Sequence, residues 1–375
     1  MGCSSRDEAY MQRALDLAAN GMGRVEPNPM VGAVVVQGEC AVGEGYHARF
    51  GSPHAEVVAL AQAGQKARGG ELFATLEPCC HHGKTPPCTD AVLAAGIRRV
   101  VAAVADPFPE VAGRGLAILE EGGVQVEVGV LAGKARRLNA AYFKRQKTGL
   151  PLVIAKWAMT LDGRLAAGSG ESRWISSEAS RRRVHELRRI SDAVLVGSGT
   201  AIADEPSLTV RHVEPFPERG QPTRVILDSH LALDPTRKPA RTAGEVPVTV
   251  YTSAAALVEC GGRAEALRQT GCEIVTVPPT DAGLLLTAVL QDLGKREMSR
   301  VLIEGGSRVF GSFFAEGLVD RVMVFVSPRI LGSADALGPV AGPDGRGLLE
   351  AFEVADLAFE GIGPDLMIQG RVSEF

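Results

Sequence analysis

His54-Ala55-Glu56 and, further along, Glu77-Pro78-Cys79-Cys80-His81-His82-Gly83-Lys84-Thr85-Pro86-Pro87-Cys88 are the stretches on which the reading of this chain turns. One imidazole and two thiolates offer Zn²⁺ three ligands, and a tetrahedral site with three protein ligands keeps its fourth position for water. A carboxylate two residues from the histidine is placed to move that water's protons. Residues two apart do not share a helix face. His54 and Glu56 therefore meet one centre only at a helix end, and Pro53 just before them suits a first helical turn. Cys88 likewise precedes a helix-like segment, where the dipole favours a thiolate. Two helix starts thus converge on the metal.

Four residues beside Pro78 compete to be the second ligand: Cys79, Cys80, His81 and His82. A Pro-Cys start favours Cys79, which makes His54, Cys79 and Cys88 the metal set and Glu56 the acid/base residue. A fourth ligand from Cys80 or His81 would close the site into a structural zinc centre, which has no use for Glu56. The pattern is similar to that of the zinc-dependent nucleobase deaminases, where the glutamate is acid/base and not a ligand. Their second cysteine ordinarily lies three residues after the first, whereas Cys88 stands nine positions after Cys79.

The frame around these stretches is that of a soluble two-domain enzyme. The chain has 375 residues, 45% hydrophobic and 22% charged, which exceeds one ordinary core. A net charge of −4 argues against nucleic-acid and anionic-membrane partners. No apolar run reaches the roughly 20 residues of a membrane span, and the start, Met1-Gly2-Cys3-Ser4-Ser5, lacks a signal-peptide core. Seven cysteines are too few for a disulfide framework; Cys3, Cys40, Cys260 and Cys272 are expected as buried small hydrophobes. A cytoplasmic location is expected.

The first half alternates helices and strands. Met11, Leu15 and Ala18 recur at helical spacing, and Val31 to Val36 reads as a buried strand after the helix stop Pro27-Asn28-Pro29. Helix from His54 to Ala63, strand from Leu72, helix from Thr89, strand from Val100, helix from Leu116 and strand from Val124 follow. The polar run Phe143 to Pro151 is the expected boundary between domains 1–147 and 148–375. Beyond it, strand-like runs start at Leu152, Ala193, Arg224, Val248, Glu273, Val301 and Val322, separated by helical patterns, so this half is α/β as well.

Glu77-Pro78-Cys79 with Lys84-Thr85-Pro86-Pro87-Cys88 resembles one family in particular, the bacterial bifunctional riboflavin-biosynthesis proteins, in which a pyrimidine deaminase is fused to a reductase. Pro27-Asn28-Pro29-Met30-Val31-Gly32, Met159-Thr160-Leu161-Asp162-Gly163-Arg164 and Ile303-Glu304-Gly305-Gly306 carry the likeness along nearly the whole chain. The resemblance implies a cytidine-deaminase-like α/β/α sandwich followed by a dihydrofolate-reductase-like α/β domain. It implies deamination of 2,5-diamino-6-ribosylamino-4(3H)-pyrimidinone 5′-phosphate at a zinc site, then NADPH-dependent reduction of the ribosyl group to ribityl. Asn28, His47 and Lys84, with His81 and Asp106, match positions that hold that substrate. Two departures stand out: Cys80 replaces a usual Ser, and Phe108 a usual Asn.

In the second half no Gly-x-Gly-x-x-Gly follows a strand with an acidic residue about 20 on, so a standard Rossmann site is not supported. Val301-Leu302-Ile303-Glu304 running into Gly305-Gly306-Ser307-Arg308 is a strand-to-helix turn whose N–H groups suit a phosphate; the plain alternative is a tight turn. The family's pattern implies that Ala158, Trp174, Thr200, Asp204, Ser229, Gly306, Ser307, Arg308, Val309, Phe310, Gly311 and Ser312 contact NADPH. It implies that Ser172, Arg188, Leu208, Arg211 and Glu304 contact the substrate, two arginines suiting a phosphate dianion. Lys156 and Asp204 are candidates for proton handling. The expected partner is a phosphorylated pyrimidine, with the chain a homo-oligomer, dimer or tetramer. The rival readings are a zinc-dependent nucleotide deaminase with an accessory C-terminal domain, and a zinc-stabilised binding protein.

Overall fold

The computed structural model describes residues 5–81, 86–167, 174–281, 283–342, 347 and 350–374. Lys84, Ser172 and Cys3 lie outside them. Contacts divide the chain into two compact units, Met1–Thr148 and Gly149–Phe375.

In the first unit α1 (Ser5–Ala19) leads into the hairpin β1 (Gly32–Gln37) and β2 (Cys40–Tyr46), then α2 (Ala55–Ala63) and β3 (Glu71–Ala74). Next come α3 (Cys88–Ala95), β4 (Arg99–Ala102), α4 (Arg114–Glu121) and β5 (Gln125–Val128), and α5 (Ala132–Leu138) and α6 (Ala140–Thr148) close the unit. The sheet order is β2-β1-β3-β4-β5, antiparallel across β2, β1 and β3 and parallel from β3 to β5. Both faces are covered. Val34 and Val36 pack with Met11, Ala14 and Leu15, while Ala33 and Val35 pack with Ala55, Ala59 and Leu60. The unbroken apolar run of β1 is a strand buried on both sides.

β2 carries no apolar alternation and is not legible as a strand. Its Gly43 and Gly45, two apart and so on one face, meet α2 directly. A Cβ on Gly43 would lie 2.1 Å from the Ala59 carbonyl oxygen, and one on Gly45 would lie 2.4 Å from that of Ala55. The helix that starts after His54 is therefore seated backbone against backbone.

α6 runs through the polar stretch from Phe143 up to Thr148, with Tyr142 and Lys144 buried. One expectation is corrected. Cys40 is exposed at the turn into β2; of the other described cysteines outside the motif, Cys272 is buried and Cys260 half-buried.

The second unit opens with β6 (Leu152–Thr160), α7 (Glu178–Arg189), β7 (Ala193–Gly197), α8 (Ser198–Ala203), β8 (Thr223–Leu227) and α9 (Lys238–Arg241). It continues through β9 (Val248–Thr252), α10 (Ala254–Glu259), α11 (Gly261–Gln269), β10 (Glu273–Thr276) and the short pair β11 (Pro279–Thr280) and β12 (Gly283–Leu284). The last elements are α12 (Leu286–Lys295), β13 (Arg300–Gly305), α13 (Ser307–Ala315), β14 (Arg321–Ser327), β15 (Ala355–Ile362) and β16 (Asp365–Arg371). Nine strands pair in the order β10-β9-β8-β7-β13-β6-β14-β16-β15. Those from β10 to β14 are parallel, and the terminal hairpin β15–β16, unforeseen in the sequence, is antiparallel. Parallel strands deliver all their C-terminal ends to one edge, the usual place for a ligand crevice.

Candidate functional site

His54 caps the N-terminus of α2 in extended conformation, and Glu56 lies in the first turn. Cys88 is the first residue of α3, after the cap residue Pro87. His54 Nδ1 lies 3.3 Å from Cys79 Sγ and 3.2 Å from Cys88 Sγ. The three donor atoms fall within 4.8 Å of one another, the one such cluster among the described residues. The Cys88 N–H donates to Cys79 Sγ at 3.4 Å. Hydrogen bonding from Cys88, then His54, pulls the Cys79 thiol down to about 4, while Cys79 in turn pushes Cys88 up. Burial, and after it the negative charge of Cys79, raises Glu56 to about 7. Its Oε2 is buried with no hydrogen-bond partner. Two thiols, an imidazole and an orphaned carboxylate oxygen at two helix starts fit a soft metal with an open position.

Cys80 stands outside this cluster, its Sγ directed to the Glu110 carbonyl at 3.7 Å. The His81 ring meets Phe108 edge-on at 5.7 Å, and its Nδ1 is buried without a partner. Asn28 Nδ2 is 3.5 Å from His47 Nε2. The His47 ring stands edge-on to His54 at 5.5 Å, with Nδ1 3.3 Å from the Pro53 carbonyl; burial lowers its pKa. Asn28 and His47 thus sit beside His54.

Two residues at this site escaped sequence reasoning. The buried Glu77 carboxylate accepts N–H groups from Asp106 (3.0 Å), Gly113 (2.9 Å), Gly115 (2.9 Å) and Leu116 (3.3 Å). It fastens the loop after β4 to the segment that carries Cys79. The only sequence signal is an acid directly before Pro-Cys at a strand end. Tyr142 donates its hydroxyl to Asp106 Oδ1 at 2.8 Å; nothing in the sequence links residues so far apart. Burial raises Asp106 to about 6, although the Phe108 N–H and Tyr142 bonds oppose it.

In the second unit a cavity of about 2010 Å³ opens at the C-terminal strand ends. Ala158, Trp174, Thr200, Asp204 and Ser229 line it, as do Gly306, Ser307, Arg308, Val309, Phe310 and Ser312. Arg188, Leu208, Arg211, Glu304 and Lys156 line it too. Gly311 does not: it faces the chain near Ala341, where a Cβ would lie 2.0 Å from the carbonyl oxygen. Glu304, at the end of β13, accepts from Arg188 Nε at 2.6 Å and Nη2 at 2.9 Å, and from Lys156 Nζ at 3.0 Å. Burial works against its charge, but Arg188 and Lys156 hold the carboxyl well below the usual range. Arg188, one residue of an arginine-rich helix that reads as a solvated face, is instead largely covered, its side chain 11% exposed, and donates also to the Thr209 carbonyl at 2.9 Å. Leu208 and His212 bracket the loop of Arg211 with φ of 52° and 60°, conformations that cost energy for side-chain-bearing residues and cluster at ligand sites.

Residues 151–368 match the RibD C-terminal domain, and residues 4–104 match the cytidine and deoxycytidylate deaminase zinc-binding region. The riboflavin biosynthesis protein RibD of Aquifex aeolicus is 43% identical over 96% of this chain and 97% of its own length. The chain belongs to the RibD family. It is a bifunctional deaminase and reductase of riboflavin biosynthesis, in a family that uses zinc in the first domain and NADPH in the second. The RibD structure from Acinetobacter baumannii superposes with a TM-score of 0.86 at 37% identity, covering 98% of this chain and 99% of that one. A Thermotoga maritima structure, a diaminohydroxyphosphoribosylaminopyrimidine deaminase/5-amino-6-(5-phosphoribosylamino)uracil reductase, gives 0.82 at 35% identity with the same coverage. The expected pair of folds, a deaminase-like domain and a dihydrofolate-reductase-like RibD domain, is what this chain has. No helix among the described residues is long and apolar enough to cross a membrane.

Proposed function

We propose that residues 1–147 hydrolyse the 2-amino group from 2,5-diamino-6-ribosylamino-4(3H)-pyrimidinone 5′-phosphate, and that residues 148–375 reduce the ribosyl group of the product to give 5-amino-6-ribitylamino-uracil 5′-phosphate. The observation that carries the first step is the buried, unpartnered Oε2 of Glu56 beside the His54, Cys79 and Cys88 donors. His54, Cys79 and Cys88 would hold a zinc ion, which would act there as a Lewis acid that activates water for attack on the ring carbon. Glu56 takes up a proton at its carboxylate and gives it to the departing amino nitrogen, so that water is consumed and ammonia leaves. A carboxyl raised to about 7 by burial serves both transfers, since the best acid/base group has a pKa near the working pH. Asn28, His47, Lys84 and Asp106 bind and orient the pyrimidine and its ribose phosphate.

The cofactor held in the reductase would be NADPH, which would supply the hydride for C1′ of the opened sugar. Ala158, Trp174, Thr200, Asp204, Ser229 and the segment Gly306 to Ser312 hold the cofactor, Gly311 by letting the helix pack closely. Ser172, Arg188, Leu208, Arg211 and Glu304 hold the substrate, with Arg211 on its phosphate and Arg188 fixed by Glu304. Lys156, on the strand that carries Ala158 and paired to Glu304, is the candidate proton source, with Asp204 the second. The same reading carries a cytoplasmic location and a homo-oligomer; the edge strand β15, which leaves Leu357 and Phe359 exposed, supports self-association. The test is Glu56→Gln in the full chain, assayed for ammonia release and NADPH absorbance. Retained zinc, lost ammonia release and intact reduction of supplied deaminated intermediate are expected; undiminished ammonia release overturns the assignment.

A further inference from the structure

The reductase cavity receives three anionic groups if the proposed function holds, on which this inference rests: the substrate phosphate, the cofactor pyrophosphate and the 2′-phosphate on its adenosine ribose. The strand ends order them. Glu304 on β13, with Lys156 of β6 on its carboxylate, marks the substrate, and the Gly305-Gly306 turn at the end of β13 is the pyrophosphate position. The adenosine then extends away from β6, across β7 toward the ends of β8 and β9. Neighbouring strands lie about 4.8 Å apart, so two spacings place it about 10 Å along. There the cavity is lined by Ser229, His230, Lys238 and Ser253.

Two observations separate this end from a site for an unphosphorylated ribose. Folds that take NAD hold the ribose 2′-hydroxyl with an acid at a strand end. The acid at the end of β8 is Asp228, which is 1% exposed and turned into its own loop, accepting the N–H groups of Ala232 at 2.9 Å and Leu233 at 2.8 Å. It offers nothing to a hydroxyl and is shielded from a phosphate. Lys238 is the complementary case. Its N–H is pinned to Glu205 Oε2 at 2.9 Å, and Arg237 occupies Glu205 Oε1 at 2.9 Å. The carboxylate that accepts the Lys238 main-chain N–H is thereby already charge-paired with Arg237, and among the described residues no hydrogen bond or ion pair engages the Lys238 ammonium. By contrast, Lys156 and Arg188 are committed to Glu304.

We propose that Lys238 binds the 2′-phosphate of the cofactor and sets the preference for NADPH over NADH. The experiment is calorimetric binding of adenosine 2′,5′-bisphosphate and of adenosine 5′-monophosphate to the full-length enzyme, wild type, Lys238→Gln and Lys238→Arg. The wild type is expected to prefer the bisphosphate by tenfold or more. Lys238→Gln should remove most of that preference with the monophosphate affinity unchanged, and Lys238→Arg should keep it. In parallel, Lys238→Gln should raise the KM for NADPH at least tenfold and leave that for NADH alone. Full discrimination by Lys238→Gln overturns the proposal while NADPH oxidation keeps the reductase reading in place. A wild type that binds neither nucleotide and oxidises no NADPH overturns both.

Discussion

Arg188 Nε donates to Glu304 Oε1 at 2.6 Å across the floor of the reductase cavity, joining a helix to the end of a central strand. Removing one partner of a buried ion pair leaves the other charge uncompensated, at about 3 kcal/mol or more. Glu304→Gln keeps the shape and discards the charge that balances Arg188 and Lys156. Reduction is expected to fall at least a hundredfold and the second unit to unfold at lower denaturant, while ammonia release persists. Normal NADPH oxidation by the folded variant would remove Glu304 from the site.

Cys80→Ser tests the metal set. Cys80 Sγ engages the Glu110 carbonyl and stands apart from the donor cluster, so zinc content by mass spectrometry should stay at the wild-type ratio. Cys88→Ser should lose most of the metal. Loss of zinc from the Cys80 variant would make that residue a ligand.

Tyr142→Phe deletes one hydroxyl. Burial raises Asp106, and the Tyr142 bond opposes the rise, so losing it moves the carboxyl further up from about 6. The acid limb of the deaminase kcat/KM profile is expected to shift to higher pH, with the zinc content and reductase rate unaltered. A profile that does not move would take Asp106 out of substrate binding.

Acid stability follows from Glu71. Burial pushes its pKa up, but hydrogen bonds from Arg99 and Arg6 outweigh it and leave the pKa below the ordinary 4.5. A carboxylate depressed in the folded state stabilises above its unfolded pKa and loses that contribution as pH falls through the folded one. Glu71→Gln should therefore destabilise the first unit at pH 7, with the gap to wild type closing below 4.5 in acid titrations followed by circular dichroism. An equal gap at every pH would assign the loss to packing.

Much of both domains is legible because apolar runs mark buried strands whatever the fold. Val31 to Val36 and Val301 to Ile303 read as strands since both their faces are covered. β2 is silent: glycines that let a helix approach leave no apolar trace. The terminal hairpin is silent too, because β15, exposed along most of its length, has no core-facing face to pattern it. In the site, ligands announce themselves by residue type and spacing, while Glu77 and Tyr142 work through contacts remote in sequence. Arg188 shows the converse, since a run of arginines on one helix conceals the one that is tied to Glu304.

Gly43 and Gly45 carry a consequence for altering the deaminase. Where a helix rests on a strand through side chains, compensating substitutions can slide it by fractions of an ångström. Here main chain meets main chain, so the start of α2 has no adjustable spacer beneath it. Gly45→Val should cost about 3 kcal/mol, read as a lower midpoint of urea unfolding for the first unit. Changes in pyrimidine scope must then come from the loops after β3 and β4, and the helix that presents His54 and Glu56 acts as a fixed datum against which those loops are free to vary.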